Sequence, residues 1–407
     1  MSSTSKQSPL LLAGMLMASL ALRPQLVGIG PVLSAIRRSL GVSHSVAGLL
    51  STVVVLCMGL FAPVAFLIAR QAGPRWTIAG ALMLIAAFGV ARTLAQPAAA
   101  VILLTVPVGI GIAIAGSLMP LVVRQSWAAR PVLATAIYAI GINLGAAISA
   151  AVAVPLASAL GSWRDSLEVF SLATVGLALA WVTLSRGYGA RVPGAAPLPR
   201  LPLRNRTGWL LVAIFGLVSI TYYGINAWLP SAFTERGWSH ASAGALLTVI
   251  NGATVPVSLL LAFRGDLFGS RRFWLATGAT LQLAGVLGVI LVPGGGWAWA
   301  VLIGSAIGLL FPSMMTMPLD VADRPADVGA MAALMLGGGY TLSAVGPVLL
   351  GLLRDVAGSF TLSMWLIFAI NTAILLIVLL NKDDRLRHRP RRRRQASEAA
   401  QPVVAVN

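Results

Sequence analysis

The sequence predicts an all-α membrane protein: twelve transmembrane helices arranged as two six-helix bundles related by pseudo-two-fold symmetry. Three observations predict it. The 407-residue chain is 58% hydrophobic and only 10% charged, where a soluble domain carries roughly a quarter charged residues. Its apolar residues gather into stretches of about 20, the length that crosses a bilayer. And the second half of the chain repeats the first.

In chain order the apolar stretches cover 9–35, 45–69, 76–96, 99–123, 132–159, 166–185, 208–232, 241–263, 273–292, 297–319, 328–352 and 361–380. The longest polar break, RGYGARVPGAAPLPRLPLRNRT, separates the sixth from the seventh. Its Arg, Pro and Gly content suits a linker. The organisation that follows is an N-terminal bundle over 1–186, a cytoplasmic linker over 187–207, a C-terminal bundle over 208–381 and a basic, disordered cytoplasmic tail over 382–407.

The net charge of +18 would suit nucleic acid if it were clustered on a soluble surface. Instead the cations sit in short loops and in the tail KDDRLRHRPRRRRQ, which reads as a solvated end touching anionic lipid. Lys and Arg favour the cytoplasmic side of a membrane. With the N-terminus inside, 22 of the 29 lie on that side, and six (Arg37, Arg38, Arg92, Arg164, Arg236 and Arg354) lie outside. Arg23 is left over, within a span. The chain is thereby placed in the inner membrane with both termini cytoplasmic. Cys57 is the single cysteine, so no internal disulfide forms. The first apolar stretch contains an Arg and lacks a small-residue cleavage site, so it is a retained helix.

No nucleotide loop, metal cluster or nucleophile triad is present. GIGIAIAG looks like a phosphate cradle but lies inside a span and precedes no soluble helix. No enzyme activity, cofactor or metal is expected. The expected partners are a small-molecule solute and the bilayer, not nucleic acid, and the expected state is a monomer.

The repeat identifies the architecture. GVSHSVAGLL (Gly41 to Leu50) returns as GWSHASAGAL (Gly237 to Leu246), with six of ten positions identical. MPLVV returns as MPLDV, the pair Arg130-Pro131 as Arg324-Pro325, and GSW as GSF, at offsets of 196, 198, 194 and 197. Parallel halves of this kind are related by an axis along the membrane normal, with the solute site between them near the midplane.

That layout resembles the major facilitator superfamily. LRPQLVGIGPVL in the first span, MPLVVRQSW ending the fourth and NAWLPSAF ending the seventh resemble its cyanate permease and 2-nitroimidazole transporter family, over essentially the whole chain. Ala21 stands where that family often has Asn. The superfamily's loop between spans two and three, G-x-x-x-D-R-x-G-R-[RK], survives only as ARQAGPR, keeping Gly73 and Arg75. The equivalent RGDLFGSRR keeps Asp266, Gly269 and Arg271. The resemblance implies a gating role for Arg75, Asp266 and Arg271; an ordinary basic loop is the alternative.

Arg23 is the residue in need of a reason, because an Arg at the centre of a membrane helix costs roughly 2.5–3.5 kcal/mol on insertion scales. It is about fourteen residues from the end of its span, roughly 20 Å, too deep to snorkel. None of the eleven acids falls at the midplane, so a structural ion pair has no partner. Two readings remain: Arg23 faces a wet cavity and binds solute, or it is tied to backbone carbonyls. Pro24, Pro31, Gly28 and Gly30 break and soften the helix around it, and broken backbone at this depth lines cavities or is buried in protein. By helical spacing Ser19 and Gly30 share its face. A guanidinium fork suits small oxyanions.

By the superfamily resemblance, eight of the spans line the path. Their deep polar residues include Tyr138 and Asn143 in the fifth, Tyr222, Tyr223 and Asn226 in the seventh, Asn251 in the eighth and Tyr340 in the eleventh. As a set these are candidates for solute binding; singly, each also suits interhelical glue. Trp228 is either a stacking face or an interfacial anchor, and His44 and His240 sit at symmetric helix starts. Gly and Ala in spans four, five and eleven allow close helix contact.

The function expected is transport of a small anionic or acceptor-rich solute by alternating access, cyanate-like or nitroimidazole-like if the resemblance extends to substrate. The alternative is a transporter-like sensor that binds without moving its ligand. With no acid or His at the midplane, transport is expected to be facilitated or an exchange, or to carry a proton only on the solute.

Overall fold

The computed structural model describes residues 9–127, 130–188, 201–268, 271–322 and 327–380, with the side chains of 131–132, 262–268, 271 and 320 outside the description. Most of the linker (189–200) and the tail lie outside it too. The helices are α1 (Pro9–Leu20), α2 (Pro24–Val27), α3 (Ile29–Leu40), α4 (His44–Leu94), α5 (Ala98–Ser126), α6 (Pro131–Leu160), α7 (Trp163–Leu184), α8 (Arg206–Thr234), α9 (His240–Phe268), α10 (Arg271–Leu291), α11 (Gly296–Met315), α12 (Met317–Val321), α13 (Val328–Ser343), α14 (Val345–Ala357) and α15 (Thr361–Leu380). Among the described residues there is no strand.

Eleven helical runs are long and apolar enough to cross a membrane. One of them, α4, has 51 residues, more than twice the length one crossing needs. Gly73 in its middle has φ 79° and ψ 151°, a conformation open to glycine, and Pro74 suits the first turn of the next helix. The chain reverses there. Both ends of α4 reach one end of the molecule: Ala47 and Leu50 pack with Trp163, and the adjoining Arg164 holds the carbonyls of Thr93 and Ala95. Ala65, Ala69 and Ile78, near its middle, belong to a different core. Counting α4 twice gives the twelve expected spans. The expected loop near 70–75 is thus reduced to a single non-helical residue, because a glycine–proline pair turns the chain without a longer connection.

The first span is longer than expected, running to Leu40 as α1, α2 and α3. Pro24 lacks the N–H that would bond the Leu20 carbonyl and continue α1, and the Arg23 carbonyl starts α2, accepting from Leu26 and Val27 at 3.0 and 2.8 Å. The tenth span breaks at Thr316 and the eleventh at Ala344, each just before a proline, Pro318 or Pro347.

The apolar cores show how the halves meet. Call the end carrying Pro9 and Leu380 the terminal end. At the far end one core is shared: Leu33, Ile36 and Leu50 pack with Trp228, Phe233 and Phe360. Towards the terminal end there are two cores, one around Met15, Ile78 and Trp181 that also takes in Tyr223 and Ala344 of the other half, the other around Phe215, Met314 and Met335. The halves share one core at the far end, and each has a core of its own towards the terminal end.

The far-end seam is closed by backbone approach and by one carboxylate. A Cβ at Gly48 would lie 2.7 Å from the Pro347 carbonyl, and one at Gly351 would lie 2.6 Å from that of His44. Asp355, at the end of α14, reaches across to the start of α4. Its two oxygens accept from the backbone N–H of His44 and Ser45, at 3.0 and 2.8 Å, and Oδ1 lies 2.7 Å from His44 Nδ1. A helix in one half is thus capped by an acid from the other, which satisfies orphan N–H donors and opposes the positive helix end. His44 also packs against Trp228 and Phe360, with centroids 5.6 and 5.7 Å away.

Losing a capping carboxylate costs about 1 kcal/mol. Asp355→Ala should therefore shift the balance towards a far-end-open form by roughly fivefold, and Asp355→Asn, which keeps one acceptor, by less. Spin-label distances across the far end of the two halves measure this; an unchanged distribution would exclude the latch.

Candidate solute-binding site

Arg23 sits at the break between α1 and α2, 8% exposed. Its Nη1 donates to the hydroxyl of Tyr223 in α8, 3.2 Å away, so its one protein acceptor belongs to the opposite half. The guanidinium carbon lies 5.8 and 5.9 Å from the ring centroids of Tyr222 and Tyr223, within cation–π range. The two rings meet edge to face at 5.1 Å, and Tyr340 of α13 lies 6.3 Å from Tyr223. Tyr138 of α6 packs against the same cluster.

Behind Tyr222 lies an amide pair. Tyr222 donates its O–H to Asn251 Oδ1 at 2.9 Å, and Asn251 Nδ2 donates to Asn226 Oδ1 at 3.1 Å. Asn226 donates in turn to the Tyr222 carbonyl. The network ties α8 to α9 and fixes the Tyr222 ring. Six of the sequence candidates, Arg23, Tyr222, Tyr223, Tyr340, Asn226 and Asn251, therefore come together. Asn143 does not join them: its amide donates to Ala139 of its own helix.

No carboxylate partners Arg23 among the described residues. Two ion pairs there, His44 with Asp355 and Arg354 with Glu235, both lie at the far end. No backbone carbonyl holds the guanidinium either. The guanidinium thus presents donors that no acceptor among the described residues takes, beside phenol hydroxyls and ring faces. Such a fork accepts a planar acceptor-bearing group and repels cations.

Glycines bring the neighbouring spans close. A Cβ at Gly141 would lie 2.8 Å from Ser19 Cβ, and one at Gly145 would overlap the carbonyl of Leu20. Gly30 receives the Asn226 carbonyl, which a Cβ would also overlap. Of the three residues expected to share a face, Arg23 and Gly30 both meet α8, while Ser19 packs on α6 because the break at Arg23 resets the helical phase.

The gating candidates divide. Arg75 Nη2 donates to the Val182 carbonyl at 2.8 Å, its own carbonyl accepts from Trp181 Nε1, and it lies over Trp76. Each of these contacts is inside the N-terminal half. Asp266 and Arg271 have side chains outside the description. Trp228 is neither a stacking face for solute nor an interfacial anchor: it is wholly buried at the far-end seam and donates to the Pro347 carbonyl.

Gln25 and Arg92 escaped the sequence reading. Arg92, placed by charge counting on the outer surface, is 1% exposed and binds both the side-chain and main-chain oxygens of Gln25. The available signal was its position inside the third apolar stretch.

The superfamily's sequence profile matches residues 10–324 and 214–406. The chain belongs to the major facilitator superfamily. It is a transporter of that type and a multi-pass membrane protein. It is 28% identical to the cyanate transport protein CynX of Escherichia coli (strain K12), over 90% of this chain and 95% of the relative. It is 27% identical to the 2-nitroimidazole transporter of the same organism, over 88% and 92%. The crystal structure of the nucleoside transporter NupG superposes with a TM-score of 0.74 at 10% identity, covering 91% of this chain and 99% of that one. At that identity the likeness speaks for the fold alone.

Removing one partner of a buried ion pair strands the other charge and is strongly destabilising. Arg23 has no such partner, so Arg23→Ala should unfold within about 1 kcal/mol of the parent protein, or be more stable, since it removes a buried charge. Thermal unfolding in detergent checks this, and a large loss would point to a structural role for the guanidinium.

Proposed function

We propose that this protein carries a small anionic or acceptor-rich solute, cyanate-like or nitroimidazole-like, across the inner membrane by alternating access, with both termini cytoplasmic. The observation that carries the reading is a buried guanidinium at the seam of the two halves, answered by a phenol of the opposite half and by no carboxylate. Cyanate and 2-nitroimidazole enter from the names of two relatives; both present acceptors to a donor fork, and both are small.

In this reading Arg23, Tyr222, Tyr223, Tyr340, Asn226 and Asn251 hold the solute, with Tyr138 and Asn143 on the neighbouring wall. Solute reaches Arg23 from the terminal end, where each half has a core of its own, while the far end is shut by the Asp355 latch. The guanidinium takes the acceptor group and the tyrosine rings flank the flat remainder. Asp266, Arg271 and Arg75 serve the opposite gate. Opening the far end requires Asp355 to release α4, and closing the terminal end brings the two cores together. Because the Arg23–Tyr223 bond joins the halves, a solute that takes over those donors acts on the contact that the conformational cycle must change.

Arg23→Ala should abolish uptake of labelled cyanate and of 2-nitroimidazole in proteoliposomes. Arg23→Lys keeps the charge but loses the fork, and uptake should fall by about tenfold or more, equivalent to ~1.4 kcal/mol. Normal uptake by Arg23→Ala would overturn the reading. Tight binding without flux in the parent protein would make it a sensor. In a thermal-shift panel, small anions and nitro compounds should stabilise the protein and organic cations should not.

The energy source is testable separately. Proton coupling draws on acids or His whose charge changes during the cycle; Glu168, half-buried in α7, and Asp320 are the nearest acids to the midplane in the sequence. A pH gradient should produce no uphill accumulation of a solute that does not ionise over the range. Accumulation abolished by an uncoupler would reverse this, and Glu168→Gln and Asp320→Asn would identify the acid.

A further inference from the structure

Two residues after Arg23, Gln25 points away from the seam and into the N-terminal bundle. It is fully buried, and both ends of its amide are held. Nε2 donates to Ser171 Oγ at 2.7 Å and to the Leu167 carbonyl at 3.2 Å, both in α7. Oε1 accepts from Arg92 Nη2, and the same nitrogen lies 3.4 Å from the Gln25 carbonyl. Arg92 therefore grips the side chain and the main chain of one residue. Gly89, one turn before it, makes room: a Cβ there would overlap Ser171 Oγ and lie 3.1 Å from Gln25 Nε2.

This is an unusual use of a charge. Arg92 is buried in the bundle, has no carboxylate partner among the described residues, and leaves Nε and Nη1 without hydrogen bonds. If the task were only to join spans, an apolar contact or a hydroxyl would serve without burying a cation. The other half does so: Asn371 Nδ2 donates to Thr221 Oγ1 at 3.2 Å, joining its last span to its first. At the repeat offset of 197, the position matching Arg92 is Val289. The first span of that half, α8, is unbroken from Arg206 to Thr234. The buried cation stands in the half whose first span is broken.

The break explains the need. α2 has only four residues and is jointed to α1 and α3 on both sides. The Arg23 carbonyl caps α2, so any rotation of α2 about its axis carries the guanidinium with it. Gln25 lies on the opposite side of this short helix from Arg23, two residues on, and its clamp resists that rotation.

We propose that Gln25, held by Arg92 and Ser171, is a positioning residue that aims Arg23 into the seam and so sets the affinity for solute. The inference rests on Arg23 binding solute. The test uses full-length protein in detergent and in proteoliposomes, with cyanate and 2-nitroimidazole as probes. Gln25→Leu and Arg92→Met should each raise KM and Kd by about tenfold, as small displacements of a binding group do, while Vmax stays close to the parent value; Gln25→Leu also lowers the unfolding temperature, because it strips the buried Arg92 of its side-chain acceptor. The double variant should be no weaker than either single one, since the pair acts as a unit. Arg92→Lys should recover part of the loss. In an Arg23→Ala background, Gln25→Leu should change nothing further in binding.

A merely structural clamp would instead lower Vmax and leave KM alone in both single variants, which overturns the proposal. A readout without solute uses Arg23→Cys in a Cys57→Ala background. Adding Gln25→Leu should change the rate of labelling by a charged thiosulfonate reagent, and an unchanged rate also overturns it. If Arg23→Ala transports normally, the binding reading has failed. If Arg23→Ala abolishes binding while Gln25→Leu binds as the parent does, only the positioning inference has failed.

Discussion

A guanidinium buried midway along the first span, with no carboxylate partner among the described residues, is the constraint around which this structure is arranged. In hydrocarbon such a charge is tolerated only where protein or water replaces the lost hydration. Here the replacement is assembled from the other half of the molecule: the Tyr223 hydroxyl in hydrogen-bond contact and two aromatic faces within 6 Å. None of these groups carries a formal charge that would cancel the cation. The seam is therefore left electropositive at the point where the halves meet, which is the feature the proposed carriage of an anion or a strong acceptor draws on.

The same residue breaks the helix it belongs to. Pro24 interrupts the ladder just after Arg23, and the first span becomes three jointed pieces. A jointed span is an insecure mounting for a binding group. The structure answers with glycine contacts that seat Leu16 and Leu20 against α6 and with the Gln25 clamp on the side away from the seam. Charge, break and clamp form one device on the N-terminal side. The C-terminal half contributes an unbroken α8 whose tyrosines and amides are fixed by their own network.

Pseudo-symmetry builds the scaffold, and departures from it build the function. Both halves use a Ser-His start after a positive-φ glycine, Gly41 or Gly237, to begin the equivalent spans. Yet His44 meets an acid from the opposite half, while His240 is exposed. The far end is thus sealed by a shared apolar core with one carboxylate cap, and the terminal end keeps two cores. A carboxylate that caps a helix in another rigid body is well suited to alternate making and breaking, because its removal costs about 1 kcal/mol and leaves each half intact.

The sequence by itself determined the membrane class, the twelve crossings and the two halves, because these follow from length, hydropathy and a repeat, properties of the chain taken in order; it also singled out Arg23 as a charge inside an apolar stretch. It also identified the deep tyrosines and asparagines, since polar residues in apolar stretches stand out. Tertiary structure alone decided which of them meet. Asn143 and Asn251 look alike in sequence, yet Asn143 bonds its own helix and Asn251 joins the Tyr222 network, because the facing of a span depends on its packing rotation. Arg92 near a span end looked like a surface charge, and its long side chain instead turns inward to Gln25. The Asp355 cap joins residues 310 positions apart. Contacts of that kind depend on how two bundles dock, and no local pattern of residues encodes the docking.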